Sequence, residues 1–166
     1  MRQIVTYGNE VLRKKAEPVN EIDQEVKDLV ADMIATLKDA KGLGLAAPQV
    51  GESKRIFILD LSPVDLTEDV RVFINPEIIE ASGEVTMEEG CLSFPGIFQK
   101  LSRPEYVRVK ALDLTGDEFQ LEADGILARA ILHEYDHLDG KLFIDYLSSV
   151  SRAMLSGKLR RLAAAS

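Results

Sequence analysis

The pentapeptide HEYDH at 133–137 holds both histidines of this 166-residue chain. It closes a largely apolar run that opens at Gly125 and stops at Asp139-Gly140. Apolar residues recur there with helical spacing, and residues four apart lie on one helix face. Two imidazoles on that face can reach one metal ion, and Glu134 projects beside it. The sequence therefore predicts a mostly buried helix that carries a metal site and a general base.

A third metal ligand has to come from upstream of this helix. No histidine follows His137 and no glutamate follows Glu134, while Asp139 and Asp145 are too near in sequence to fold back easily. The single cysteine, Cys91, lies in the glycine-flanked stretch EGCLS and offers a thiolate suited to zinc or ferrous iron. A lone cysteine is more often a small buried apolar residue. As a third ligand, it would leave the fourth tetrahedral position open for a reactive water.

Helical and β-rich segments separate along the chain. Residues 23–42 carry an apolar stripe that predicts an amphipathic helix stopped by Gly42. Residues 55–61 and 72–79 are β-rich, and residues 106–123 predict a hairpin. Residues 142–147 predict a short strand or an extended segment, and the tail from Ser148 is helical in pattern. We expect an α+β fold in one catalytic domain, 1–166, with antiparallel sheets around the HEYDH helix, an N-terminal amphipathic helix and a C-terminal helix.

Charge and hydropathy exclude several classes of protein. The net charge of −8 disfavours general nucleic-acid binding, which rests on neutralising phosphates. No apolar run approaches the roughly 18 residues that span a bilayer, and the first 20 residues lack a signal-peptide pattern. We therefore expect a cytoplasmic protein that does not act at a membrane.

The segment GLGLAAPQ at 42–49 has two interpretations. It lacks the Gly-Lys-Ser/Thr ending and the preceding strand of a phosphate-binding loop. It is either a helix stop followed by a turn of small residues, or a loop whose glycines let a substrate approach the backbone. In the second interpretation, the Gln49 amide would donate a hydrogen bond to that substrate.

Three segments in a fixed order, GLGLAAPQ (42–49), EGCLS (89–93) and HEYDH (133–137), closely resemble the signature motifs of the peptide deformylases. All three are complete, and the resemblance spans nearly the whole chain, including a C-terminal tail of the bacterial type. It implies an amide hydrolase that removes the N-formyl group from the N-terminal formylmethionine of nascent polypeptides and releases formate. A metal-bound water would attack the formyl carbon, with Glu134 as general acid/base.

The resemblance also implies roles for single residues. The metal ligands would be Cys91, His133 and His137, with Fe2+ as the native ion and Zn2+, Ni2+ or Co2+ able to substitute. The Gln49 side chain and the Leu92 backbone N–H would hold the developing oxyanion, which is where such catalysis gains most. Substrate contacts are expected from Gly44, which would meet the peptide backbone, and from the borders of the methionine pocket, namely Ile126, Arg129 and Ala130, with Glu89 nearby. Phe98 departs from the arginine that some relatives carry there.

Two further features have competing interpretations. Asp136 lies on a different helix face from the histidines, and we hypothesise that it pairs with Arg103; the alternative is an ordinary solvated aspartate. The tail from Tyr146 carries four basic residues and no acid. It is either a solvated helix face or, as the resemblance implies, a site for docking on the ribosome.

Three alternatives compete with a deformylase. A general HExxH-type metallopeptidase is disfavoured because no downstream ligand exists. A zinc-stabilised binding domain is disfavoured by a glutamate beside an open coordination position. A deformylase-like protein without activity is disfavoured because every catalytic group is present.

Overall fold

The computed structural model describes all residues, 1–166, and contains three α-helices and seven β-strands. The helices are α1 (Gln24–Ala40), α2 (Gly125–Leu138) and α3 (Ser149–Ala165). The strands are β1 (Gly44–Ala46), β2 (Ile56–Leu59), β3 (Arg71–Ser82), β4 (Val85–Gly90), β5 (Phe98–Arg103), β6 (Tyr106–Leu112) and β7 (Glu118–Asp124). No helix is both long and apolar enough to cross a membrane.

The strands form two antiparallel sheets. Five of them lie in the order β1-β2-β3-β6-β7, and β4 pairs with β5 in a separate two-stranded sheet. The predicted hairpin is β6–β7, in register from Tyr106 opposite Asp124 to Leu112 opposite Glu118. The predicted α+β class with antiparallel sheets is confirmed.

Helix α2 packs against the five-stranded sheet, as the prediction of a central HEYDH helix required. Ala128, Ile131 and Leu138 are fully buried and share one core cluster with Phe57 and Phe73 of the sheet. These positions recur at helical spacing, so one face of α2 enters the core. The histidines are carried on the same rigid element.

The apolar stripe predicted for helix α1 packs against another part of the sheet. Val26, Val30 and Met33 are buried in a second core cluster, and the Asp23 side chain caps the helix by accepting from the Val26 N–H. The helix ends at Ala40, and Lys41, not Gly42, takes the left-handed conformation with φ of 58°. The helix stop that we predicted at Gly42 was therefore one residue too far along the chain.

Two other predictions about local structure need correction. Residues Phe143–Tyr146 form a 3-10 helix and not an extended segment, because the Asp145 carboxylate accepts from the Leu142 N–H and tightens the turn. Strands β4 and β5 were not predicted, because their sequences, VTMEEG and FQKLSR, are rich in charged and polar residues. Cross-strand pairing stabilises such strands more than propensity does.

Candidate metal centre

The structure brings the three predicted ligands together. Cys91 follows directly after β4, and His133 and His137 lie one turn apart on α2. One ligand atom from each residue lies within 4.8 Å of the other two, and Cys91 Sγ is 3.4 Å from His137 Nε2. These three side chains form a cluster that could hold one metal ion.

The donor set of this cluster fits a divalent transition metal. His133 Nδ1 is bonded to Glu89 Oε1 at 2.8 Å, which leaves Nε2 to face the cluster. Two imidazoles and one thiolate suit zinc or ferrous iron, and they leave a tetrahedral position open. His137 faces the cluster with Nε2, which lies 3.4 Å from Cys91 Sγ, while its buried Nδ1 has no hydrogen-bond partner. We conclude that the residues present fit a metal.

Glu134 places a carboxylate beside the cluster without any partner of its own. The side chain is buried, and its Oε1 atom makes no hydrogen bond. Burial raises the pKa of Glu134 to about 7. A carboxyl group that titrates near neutrality can both accept and return a proton.

Gly44 of β1 makes room for this carboxylate. A Cβ atom on Gly44 would lie 2.7 Å from Glu134 Oε2 and 2.9 Å from Glu134 Cγ. Real Cβ atoms essentially never approach a neighbour so closely, so only glycine fits. Gly44, which we expected to contact the substrate, therefore also leaves room for the buried Glu134 side chain.

Two hydrogen-bond donors flank the cluster. The buried Gln49 amide is fixed because its Oε1 accepts from the Ala46 N–H at 2.9 Å and its Nε2 donates to Ser93 Oγ at 3.1 Å. The same Nε2 lies 3.6 Å from Cys91 Sγ. The backbone N–H of Leu92 makes no hydrogen bond within the protein. Ser93, which orients the amide, was not singled out from the sequence.

A cavity of about 630 Å³ opens beside the cluster. Its lining contains both Cys91 and His133, so a ligand in the cavity would reach the metal position. The lining also includes all of the expected substrate-contact residues, which are Gly44, Glu89, Ile126, Arg129 and Ala130. Phe98 stands at the rim with 60% of its surface exposed.

Three polar members of this lining, Glu89, Arg129 and His133, are joined by hydrogen bonds. The Glu89 carboxylate bonds to His133, Arg103 and Arg129. Burial opposes its ionisation, but the bonds from His133 and Arg103 outweigh burial and lower the pKa of Glu89 to about 2. The Arg129 guanidinium also donates to the Val85 carbonyl at 2.6 Å, so its alkyl stem is the part left for an apolar wall.

The hypothesised pair of Asp136 and Arg103 is present. Arg103 Nη1 donates to Asp136 Oδ2 at 2.9 Å, and both residues are buried. Sequence reasoning missed that Arg103 also binds Glu89 and that the Tyr146 hydroxyl donates to Asp136. These bonds join segments far apart in the chain, and no local pattern records them.

An α+β fold that gathers two imidazoles, a thiolate and a buried carboxylate beside a cavity defines a metal-dependent hydrolase. A family model, polypeptide deformylase, matches residues 1–153 of this chain. The chain belongs to this family of metalloenzymes, and its activity is the removal of the N-formyl group from nascent polypeptides.

Similar proteins cover nearly the whole chain. A peptide deformylase from Clostridium botulinum is 53% identical over 145 residues, which are 87% of this chain and 95% of that protein. One from Thermodesulfovibrio yellowstonii is 48% identical over 158 residues, which are 95% of this chain and 96% of that protein. The crystal structure of a peptide deformylase from Legionella pneumophila gives a TM-score of 0.91 at 43% identity, covering 97% of this chain and 94% of that chain.

Proposed function

We propose that Cys91, His133 and His137 hold one divalent metal, that Glu134 is the general acid/base, and that residues 1–166 act as one catalytic domain. The observation that carries this assignment is the unpartnered, buried Glu134 carboxylate on the same helix as two of the converging ligands. An unsatisfied buried carboxylate is costly and is retained where it serves a reaction.

A divalent metal held by Cys91, His133 and His137 would supply Lewis-acid chemistry for the attack of water on the formyl carbonyl. Glu134 takes up the proton released by the attacking water and returns it to the departing amine. The Gln49 Nε2 and Leu92 N–H groups donate to the formyl oxygen as negative charge develops on it. The Gln49 amide is fixed before the substrate arrives, because Ala46 and Ser93 hold it through hydrogen bonds.

The substrate lies with its backbone extended past Gly44 and its methionine side chain in the cavity. Ile126, Ala130 and the stem of Arg129 supply apolar contacts for that side chain. The formyl group is small enough to reach the ligand cluster at the inner end of the cavity. A bulkier acyl group would meet Glu134 and Gly44, which are already in close approach.

Formate release tests this assignment. The protein is incubated with a formyl-Met peptide and with the matching acetyl-Met peptide, and formate and free amine are measured. We expect turnover of the formyl peptide only, and a loss of about 100- to 10,000-fold in Glu134→Gln with its metal retained. Glu84→Gln, an exposed glutamate in the turn before β4, is the matched control.

Two results would overturn the assignment. Loss of metal from Glu134→Gln would make Glu134 a ligand instead of a base. Cleavage of unformylated peptides at internal bonds would favour a general metallopeptidase.

Ferrous iron is the ion that we propose for the native site. A thiolate with two imidazoles binds iron and zinc alike, and Ni2+ or Co2+ fits the same donors. Protein isolated without oxygen should contain iron as its main metal and should lose activity in air, because ferrous iron beside a thiolate is readily oxidised. Zinc as the main metal in anaerobic preparations would contradict this.

We also propose that α3 docks on the ribosome in the cytoplasm, where formylated chains are made. Leu155 and Leu159 face the core, while Lys158, Arg160 and Arg161 are exposed. Such a basic face attracts phosphates in a salt-dependent way. Changing these three residues to glutamate should abolish cosedimentation with ribosomes, whereas the same change at the exposed basic residues Lys14 and Lys15 should not. Equal cosedimentation of both variants would refute docking through α3.

A further inference from the structure

Tyr146 lies outside the cavity, in the 3-10 helix Phe143–Tyr146 just before α3. Its ring is about half exposed, at 47%. Its hydroxyl nevertheless donates to Asp136 Oδ2 at 2.7 Å, and the Arg103 guanidinium lies over its ring with Cζ 5.0 Å from the centroid. Burial and the Asp136 carboxylate raise the pKa of Tyr146 to about 12, so the phenol stays a donor at neutral pH.

From this hydroxyl, hydrogen bonds continue without a break to a metal ligand. Asp136 Oδ2 also accepts from Arg103 Nη1 at 2.9 Å. Arg103 donates to Glu89 through Nε at 2.5 Å and Nη2 at 3.0 Å. Glu89 Oε1 bonds to His133 Nδ1 at 2.8 Å. We call Tyr146, Asp136, Arg103, Glu89 and His133 the relay.

The inner members of the relay have little freedom. Arg103 and Glu89 are buried. The planar Arg103 guanidinium bonds to the carboxylates of Glu89 and Asp136 at the same time, and the directions of its N–H groups are fixed relative to one another. The position of Asp136 therefore sets the position of Arg103, and Arg103 sets the carboxylate that orients the His133 ring. Outer-shell partners of this kind fix the ring orientation and basicity of a metal-ligating histidine.

We propose that Tyr146 is a positioning residue for the metal centre, acting on His133 through Asp136, Arg103 and Glu89. The proposal rests on the assignment of His133 as a ligand made above. Its competitor is a purely structural role, in which the hydroxyl only anchors the segment that leads into α3. A structural role would change the melting temperature but would leave the metal and its spectrum unaltered.

Tyr146→Phe removes the one hydroxyl and keeps the ring under Arg103. The matched control is Tyr106→Phe, because Tyr106 also donates to a carboxylate, Glu122 Oε1 at 2.8 Å, but on the exposed β6–β7 face. Both variants are loaded with cobalt. The measurements are the visible cobalt bands, the rate of cobalt loss to a chelator, kcat and KM.

We expect Tyr146→Phe to lose cobalt about 3- to 10-fold faster, below the 10- to 100-fold typical of direct outer-shell partners, because three residues, Asp136, Arg103 and Glu89, lie between Tyr146 and the ligand. The cobalt bands should shift, and kcat should fall by a similar factor with KM within twofold. Tyr106→Phe should match the wild type. Identical cobalt spectra and release rates in the two variants would refute the proposal, whatever their melting temperatures.

A second variant tests whether Tyr146 acts through Asp136. Asp136→Asn keeps the shape of the side chain but removes its charge, so cobalt loss should be faster than in Tyr146→Phe. In the double variant, the two effects should not add, because they share one route. Full additivity would overturn the relay. If the wild type released no formate, the proposed function would be wrong. The cobalt spectra and release rates would still show whether Tyr146 acts on the metal centre.

Discussion

Replacing Gly44 by alanine should impair deformylation while leaving the metal ligands in place. The new Cβ would lie 2.7 Å from Glu134 Oε2, 2.9 Å from Glu134 Cγ and 2.9 Å from Leu59 Cδ2. Carbon atoms prefer separations of about 3.5–4.0 Å, so Glu134 Cγ or the β1 backbone has to move by roughly 0.6 Å or more. Glu134 is buried and Gly44 is half-buried, and the fully buried Leu59 side chain leaves the new Cβ no free space on the side of β2.

The size of the effect follows from this overlap. Adding a methyl group to a well-packed interior costs about 1–3 kcal/mol. If Glu134 moves to relieve the overlap, its stabilisation of the transition state falls by the same amount, and kcat/KM falls by about 5- to 150-fold. The three atoms nearest to the new Cβ belong to Glu134 and Leu59 and not to a metal ligand, so metal content should stay at the wild-type level.

The assay measures formate release from a formyl-Met peptide beside metal analysis and thermal unfolding. Gly157→Ala is the control, since a Cβ there meets only Arg161 Nη1 at 3.5 Å. This control should keep full activity and gain up to about 1 kcal/mol of stability from helix propensity. A Gly44→Ala protein with kcat/KM within twofold of the wild type would refute the claim that glycine is needed to accommodate Glu134.

Two predictions concern stability. Arg103→Leu takes the guanidinium away from the buried carboxylates of Glu89 and Asp136, and leaves Glu89 only its bonds to Arg129 and His133. It should lower the free energy of unfolding by about 3–5 kcal/mol in urea titrations, whereas Arg108→Leu, at the surface pair with Glu80, should cost at most about 1 kcal/mol; equal losses would contradict this. Burial opposes ionisation of Asp145, but bonds from Arg13 outweigh it and lower its pKa. Because the folded pKa is the lower one, the ionised carboxylate stabilises the fold above about pH 4, and this contribution is lost as the pH falls. Asp145→Asn should therefore be less stable at neutral pH by up to about 1 kcal/mol, and the difference should vanish near pH 2 in denaturant titrations; a constant difference would refute the pairing.

Much of the candidate site could be predicted from short-range geometry. An α-helix places residues four apart on one face, so HEYDH alone predicts two neighbouring imidazoles with Glu134 beside them. Cys91 followed by elimination, because the chain after His137 contains no suitable ligand. The helical stripe of α1 and the β6–β7 hairpin likewise depend on residues close in sequence, where periodicity is a reliable guide.

Only the tertiary structure decided the rest. Strands β4 and β5 are held by pairing with each other, which brings Glu89 and Arg103 into one buried group that no sequence period specifies. Tyr146 reaches Asp136 from a 3-10 helix that the sequence did not predict. The need for glycine at position 44 depends on Glu134, which is distant in the chain and adjacent in space. The sequence by itself determined that the two histidines and Glu134 lie together on one helix, because helix geometry depends only on residues close in the chain. Long-range packing, which depends on the whole chain, decided what holds each group in place.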